Sequence, residues 1–297
     1  MNVLNISSRQ EPGKNLNPKY TIVEILIFLH QSFSALFYLM KKKPERICYQ
    51  CGQPATSKEH VPPACLFPEE KDIKTSIFRN NLITVPSCDL HNSRKSKDDE
   101  FLMGCLAGVV GNNVIGFFHA QTKVRRALER KGRDAIHELM QAPKEFKLKS
   151  ASGFDFPVLV GRIDHKLIVS CFEHIAYGLY YHNFKKRFEG EVSVMIDFIR
   201  FEDEATQKLR QLVHKRMEFE TAGNIQGGNP EIFKYRFIPP DEFGLIGLQL
   251  TFYEGASVFI AFKSKEAGAP RSMAMDFINH GIKTIVNFPD GSNIEFN

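Results

Sequence analysis

The chain is poor in cysteine and in net charge, and it has no strong compositional bias. Six cysteines in 297 residues are too few for a disulfide scaffold, and three of them stand in metal-ligand spacing, which indicates a reducing compartment. The hydrophobic share of 43% and the charged share of 25% are typical of a globular protein and exclude a disordered or fibrous one. No secretory cleavage signal and no internal repeat are evident. We therefore expect a cytoplasmic globular protein.

Positive charge is modest overall but locally concentrated. The formal net charge of +5 suits a polyanionic partner without establishing one, because nucleic-acid binding depends on where the charge lies. Between positions 121 and 150 basic residues outnumber acidic ones. They are Lys123, Arg125, Arg126, Arg130, Lys131, Arg133, Lys144, Lys147 and Lys149.

One apolar run, Thr21–Met40 followed by three lysines, is nearly long enough to cross a bilayer. Glu24, His30 and Gln31 lie inside the run, and polar or charged groups are costly in lipid. We therefore expect a helix that packs on the protein or is peripheral, and no membrane span. Met40 is itself a sensible start, so residues 1–39 are alternatively an upstream extension.

Local patterns predict the secondary structure. β-branched residues predict a strand at Asn81–Val85, stopped by Pro86. Helices are predicted from Cys88–Asn92 through Met103 and over 122–140, where Gly132 weakens the pattern. Beyond Ala151 the predicted strands are 154–160, 168–169, 192–201, 233–238, 245–253 and 256–262, and the predicted helices are 171–188 and 202–219.

Two pairs of metal-binding residues carry the first chemical signal. Cys48 and Cys51 form a C-x-x-C pair, and Cys88 and His91 form a second pair with the same spacing. Thiolate and imidazole ligands in two such pairs suit a structural zinc, whose four positions are then all filled by protein. The remaining cysteines, Cys65, Cys105 and Cys171, are expected to be buried apolar side chains.

Between and after these pairs stand Glu59-His60-Val61-Pro62, Asn81-Leu82 and His91-Asn92. In this combination the chain resembles the HNH endonuclease family over about residues 46–105, a fifth of its length. The resemblance implies a zinc-stapled ββα-metal module, in which a hairpin is crossed by a helix and the catalytic residues converge between them.

The resemblance implies a role for each of these residues. His60 is expected to be the general base, since its ordinary pKa of about 6.5 suits proton transfer near neutral pH. Glu59 and Asn92 are expected to bind a catalytic Mg²⁺ or Mn²⁺ through oxygen, and Asn81 to brace the loop and the base. Arg94 and Lys95 are expected to grip a phosphate.

The chain departs from the family's usual pattern at three positions. Asn92 stands where many members have histidine, and His91 replaces the commoner cysteine as the last zinc ligand. An amide oxygen still binds Mg²⁺ and imidazole still binds zinc, so activity remains the expectation. The long stretch from Asn81 to Cys88 leaves Asn80 as a rival for the role of Asn81.

We therefore expect an α+β protein in four parts: a tail and apolar helix at 1–45, the nuclease module at 46–105, a basic helical linker at 106–150 and a separate α+β domain at 151–297. The expected activity is phosphodiester hydrolysis in nucleic acid, with double-stranded DNA first, and the C-terminal domain would serve regulation, substrate choice or a protein partner. Family members often act in phage defence or mobile elements. Two alternatives stay open, an RNA-cleaving nuclease and a non-catalytic zinc-knuckle module that binds nucleic acid or protein.

Overall fold

The structure is a computed structural model that describes residues 46–74, 78–93, 96–132, 135–149, 153, 155–199, 204–219, 224–240, 244–265 and 280–297. All of them belong to one compact unit, Arg46–Asn297. The predicted tail and apolar helix at 1–45 lie outside the described residues. Among the helices that the structure describes, none is both long enough and apolar enough to cross a bilayer.

The described helices are mostly short, and the longest is central. They are α1 Asp89–Ser93, α2 Ser96–Ala107, α3 Val114–His119, α4 Arg125–Lys131, α5 Ala135–Leu139, α6 His165–Phe184 and α7 Glu204–Phe219. A π-helical turn, Ala120–Val124, joins α3 to α4, and a 3₁₀ turn covers Ala64–Leu66.

The strands that the structure describes form one large sheet and three two-stranded ribbons, and each of their pairings is antiparallel. They are β1 Ser57–His60, β2 Thr84–Ser87, β3 Gln141–Lys149, β4 Asp155–Arg162, β5 Gly190–Ile196, β6 Gln226–Asn229, β7 Phe233–Ile238, β8 Ile246–Phe252, β9 Ala256–Ser264, β10 Thr284–Asn287 and β11 Asn293–Phe296. The large sheet has the order β5-β9-β8-β7-β6, and the ribbons are β1-β2, β3-β4 and β10-β11. The fold is mixed α+β, as predicted.

Helix α6 joins the segment that carries the two predicted pairs of zinc ligands to the large sheet. Asp164 caps its first turn, because the Asp164 side chain accepts a hydrogen bond from the Leu167 amide at 3.0 Å. Aromatic side chains of α6 pack on the sheet, with ring centroids 5.3 Å apart for Tyr180 and Phe262. The fully buried core includes residues from both sides of position 151. One core includes residues from before position 105, from between 105 and 150, and from after 150. The domain boundaries at 105 and 150 stay a prediction.

The other side of α6 contacts the segment that follows β1. A Cβ added at Gly178 would lie 2.6 Å from Cγ2 of Val61, a distance that side chains do not tolerate. Glycine at this position lets the helix backbone pass directly over Val61, the residue after His60. The C-terminal half thus lies against the predicted nuclease segment.

The structure corrects three local predictions. The strand predicted at Asn81–Val85 begins only at Thr84, because Asn81 has the left-handed φ of 55° of a turn, and it includes Pro86, which an outer strand tolerates. Ile168 and Val169 lie in α6 and not in a strand. The last part of the predicted helical linker is strand β3, whose alternation of charged and apolar residues is visible in the sequence. The helices that follow Cys88 are confirmed.

Candidate metal centre and candidate active site

Four side chains converge at one end of the β1-β2 ribbon. The ligand atoms of Cys48, Cys51, Cys88 and His91 all lie within 4.8 Å of one another. The distance is 3.7 Å from Cys51 Sγ to Cys88 Sγ and 3.7 Å from Cys48 Sγ to His91 Nδ1. Two ligands about 2.3 Å from a zinc ion at the tetrahedral angle are about 3.8 Å apart. The Cys₃His group therefore fits a tetrahedral metal ion such as zinc, as its sequence spacing predicts.

The local backbone favours the thiolate of Cys48, whereas burial raises the pKa of the Cys51 thiol. Burial would raise the pKa of the Cys48 thiol, but backbone N–H groups of Cys51, Gln50 and Cys88 favour the thiolate and leave its pKa below the usual value. The Tyr49 amide, inside the first pair, donates to the Pro86 carbonyl of β2 at 3.0 Å. The first cysteine pair is thus tied to the strand that leads into the second pair.

The β1-β2 ribbon places Glu59 and His60 on opposite faces of β1. Glu59 pairs in register with Val85, and His60 with Thr84. Because successive side chains of a strand point to opposite faces, Glu59 is buried and His60 is exposed. The exposed imidazole is open to solvent, whereas the carboxylate faces the interior.

Asn92, in α1, lies on the same face of β1 as Glu59. Its amide group donates from Nδ2 to Ser57 Oγ at 2.9 Å, and Ser57 stands two residues before Glu59, on the same side of the strand. This bond uses the nitrogen of the amide and leaves the oxygen, the atom a hard cation would take. Helix α1 thus brings Asn92 to the strand that carries the predicted base and carboxylate, in a strand–strand–helix order.

Tyr49 is a neighbour of Glu59 that the sequence did not point to. Its phenol is buried, and burial raises its pKa well above the ordinary value, with the negative charges of Glu59 and Asp99 adding to the effect. Asp99, on α2, therefore also lies close to the Tyr49 phenol. The only sequence signal for Tyr49 is its position inside the C-x-x-C pair.

Asn81 lies near the end of β1, away from the zinc ligands. It lines a small crevice with Val61 and Pro62, the two residues after His60, and with Gly227 and Gly228 of β6. The left-handed backbone at Asn81 suits asparagine better than most residues. Asn81 is thus placed beside the segment that follows the predicted base.

The segment 62–67 that leaves His60 is held by buried polar contacts. Tyr253, in the turn between β8 and β9, is fully buried, and its hydroxyl donates to the Leu66 carbonyl. Nε2 of buried His119 lies 3.1 Å from the Cys65 carbonyl, and the Lys123 ammonium lies 3.4 Å from the same oxygen. Residues distant in sequence therefore fix the main chain next to the candidate site.

The remaining predicted residues are placed as follows. Arg94 and Lys95 lie outside the described residues, so their predicted contact with phosphate stays a prediction. Cys171 is buried and Cys65 and Cys105 are mostly so, and burial raises the pKa of Cys65 and of Cys105 to about 12. Such a shift disfavours the reactive thiolate, in keeping with the expectation that these cysteines serve as apolar side chains.

No protein-family model matches the chain, no curated protein is similar to it, and no solved structure resembles it.

Proposed function

We propose that the protein is a metal-dependent endonuclease of the HNH type that hydrolyses phosphodiester bonds in nucleic acid, most of all in double-stranded DNA. The observation that carries the proposal is the ribbon–helix unit stapled by the Cys₃His group, with Asn92 of α1 seated on the strand that bears Glu59 and His60. A structural zinc with four protein ligands has no open position for a reacting water. The chemistry then falls to residues outside the zinc group.

The residues divide the work of phosphodiester hydrolysis. His60, exposed at the end of β1, accepts the proton of the attacking water, since its imidazole is basic near neutral pH. Glu59 and the Asn92 amide oxygen form a set of hard oxygen ligands, right for Mg²⁺ or Mn²⁺ and wrong for zinc. Such an ion, when bound, supplies positive charge for the developing phosphorane. Asn81 braces the segment that leaves His60.

The proposed site acts on the phosphodiester and reads no base, so RNA is the alternative substrate. The rival is a zinc-knuckle module that binds nucleic acid or protein without cutting. A single incubation separates the three: purified protein with supercoiled plasmid or with RNA, each with Mg²⁺, Mn²⁺ or EDTA. Nicked or linear plasmid with metal and not with EDTA supports the proposal. Binding without cleavage in every metal condition refutes it.

Two substitutions test the assigned roles, because each should lower activity for a different reason. His60→Ala should lower the cleavage rate by about 10²–10⁴-fold, the range for loss of a general base, with little change in metal affinity. Asn92→Ala should raise the Mg²⁺ or Mn²⁺ concentration needed for half-maximal rate, and high Mn²⁺ should partly restore activity.

The control is His137→Ala, which removes an exposed histidine on α5 and should leave cleavage unchanged. Zinc content should stay at the wild-type level in all three variants, because none of them alters a zinc ligand. Full-rate cleavage by His60→Ala would contradict the assignment of the base even if the protein proves to be a nuclease.

A further inference from the structure

An open groove lies beside the candidate site, between the loop at 69–72 and helix α4. It is lined by Glu69, Lys71, Lys123, Arg126, Glu129 and Arg130, and we call it the basic groove. Three of its cations, Lys123, Arg126 and Arg130, stand at positions i, i+3 and i+7, the spacing of one helix face. Along a helix, seven residues span about 10 Å, which matches about three nucleotides of a strand at 3.4 Å each.

The charge in the basic groove is positive after its own ion pairs are counted. Glu69 alone meets three cations: Lys71 at 2.6 Å, Lys123 at 3.1 Å and Arg79 at 3.2 Å. One carboxylate cannot neutralise three cations, so this cluster keeps an excess of two positive charges. The hydrogen bond from Lys71, with Lys123 and Arg79 adding to it, lowers the pKa of Glu69 to about 2, so the carboxylate stays ionised.

The helix side of the basic groove is anchored differently. Arg126 makes two bonds to Asp72, at 2.6 and 2.9 Å, and the Asp72 side chain is almost fully buried. Arg130, by contrast, contacts Glu100 at 3.8 Å, and three quarters of its side chain is exposed. Arg126 is thus a fixed wall of the groove, whereas the side chains of Arg130 and Lys71 are mostly exposed and can contact an anion in the groove.

The basic groove is joined to the candidate active site by the segment 62–67. Lys123 approaches the Cys65 carbonyl at 3.4 Å, and the Arg79 guanidinium donates to the Phe67 carbonyl at 3.0 Å. The cations around Glu69 therefore belong to the same packed segment that follows His60. The groove cations thus contact the same stretch of main chain that leads away from His60.

We infer that the basic groove holds two or three consecutive phosphates of the nucleic-acid strand on which the site acts. The inference rests on the proposed function for the identity of that strand, and on the cluster geometry for the binding of phosphate. The shared chemistry of the ligand is the phosphodiester backbone, which both DNA and RNA supply. Contacts of this kind position the strand and carry no sequence information.

The test uses two double variants with equal loss of charge. Lys71→Ala combined with Arg130→Ala removes the two groove cations that are mostly exposed, with side chains 67% and 75% accessible, so folding should be preserved. Lys263→Ala combined with Lys283→Ala is the control, since each lysine makes a surface ion pair on a C-terminal strand or beside one. Circular dichroism and zinc content establish that both variants are folded.

Fluorescence anisotropy without added Mg²⁺ or Mn²⁺ measures binding of the zinc-loaded full chain to a labelled DNA duplex and to an RNA duplex of the same sequence, at several salt concentrations. For a duplex, each lost phosphate contact lowers the slope of log affinity against log salt by about 0.9. The groove variant should therefore lose about 1.8 from the slope and bind roughly 60-fold more weakly at 0.1 M salt, if the two contacts are purely electrostatic. The control variant should stay within about twofold of wild type.

The outcomes separate this inference from the proposed function. An unchanged slope in the groove variant overturns the inference, and so does an equal loss in both variants, which would show that only net charge matters. If the wild-type protein binds the duplex, the groove variant binds it more weakly, and wild type never cuts with Mg²⁺ or Mn²⁺, the inference about the groove is supported and the proposed nuclease activity is refuted. If wild type cuts, and the groove variant binds and cuts equally well, the nuclease activity is supported and the inference about the groove is refuted. Wild type that binds neither duplex overturns both.

Discussion

Replacement of Tyr253 by phenylalanine removes one oxygen from the junction between the large sheet and the segment that follows His60. The Tyr253 hydroxyl donates to the Leu66 carbonyl, and both residues are fully buried. In Tyr253→Phe the ring still fills its space, so the change isolates the hydrogen bond. The Leu66 carbonyl is then left in the interior without this donor.

The expected cost follows from that burial. A buried polar group that loses its partner costs about 1–3 kcal/mol, and neither His119 nor Lys123 can compensate, because both contact the neighbouring Cys65 carbonyl. For a unit of this size, each kcal/mol shifts the melting temperature by about 2–4 °C. We therefore expect Tyr253→Phe to lower Tm by about 4–8 °C for a mid-range loss of about 2 kcal/mol.

Differential scanning fluorimetry of the zinc-loaded protein measures this shift. The control is Tyr177→Phe on α6, since the Tyr177 phenol is only partly buried and hydrogen-bonds to none of the described residues; its Tm should change by no more than about 1–2 °C, as for a change worth at most about 0.5 kcal/mol. A Tyr253→Phe protein as stable as wild type, or no less stable than Tyr177→Phe, would refute the claim that this hydrogen bond holds the segment.

Two further predictions concern the metal and pH. Elemental analysis should find about one zinc per chain, lost in Cys88→Ser and kept in Cys105→Ser; a folded wild type free of zinc would contradict the Cys₃His assignment. Burial, with the charge of Lys123 adding to it, lowers the pKa of His119 to about 4. Because the unfolded chain then takes up this proton first, stability should be level above pH 6.5 and fall by up to about 3 kcal/mol as the pH drops towards 4. Urea unfolding at several pH values measures this loss of stability. The loss should be smaller in His119→Gln than in wild type, and an equal loss in both proteins would contradict the assignment.

The sequence was sufficient where the determinants are local. Two residues separate Cys48 from Cys51 and Cys88 from His91, so a tight turn and a helical turn are enough to bring the members of each pair together. The helices after Cys88 follow from helical periodicity. The distance between the two pairs in space needs the β1-β2 pairing, which only the spacing of the motifs suggested.

The sequence was insufficient where distant segments decide the conformation. Ile168 and Val169 have the β-branched character of a strand, but Asp164 caps a helix that buries them against the core. The contact of Tyr253 with Leu66 joins residues 187 positions apart, and no local pattern reports it. The three-fold charge cluster at Glu69 likewise draws on a loop, the residues before β2 and the π-helical turn.

The placement of the zinc group has a consequence for the alignment of the two short strands. Cys48 and Cys51 precede β1, and Cys88 and His91 follow β2. A metal ion bound to all four would therefore link the start of β1 to the end of β2. Four paired residues alone specify their alignment weakly, and a slip of one residue reverses the face of every side chain. Such a slip would turn Glu59 outwards and His60 into the core. The bound metal would then fix the register of the two strands. Its removal would displace both the base and the carboxylate, although neither is a ligand of that metal.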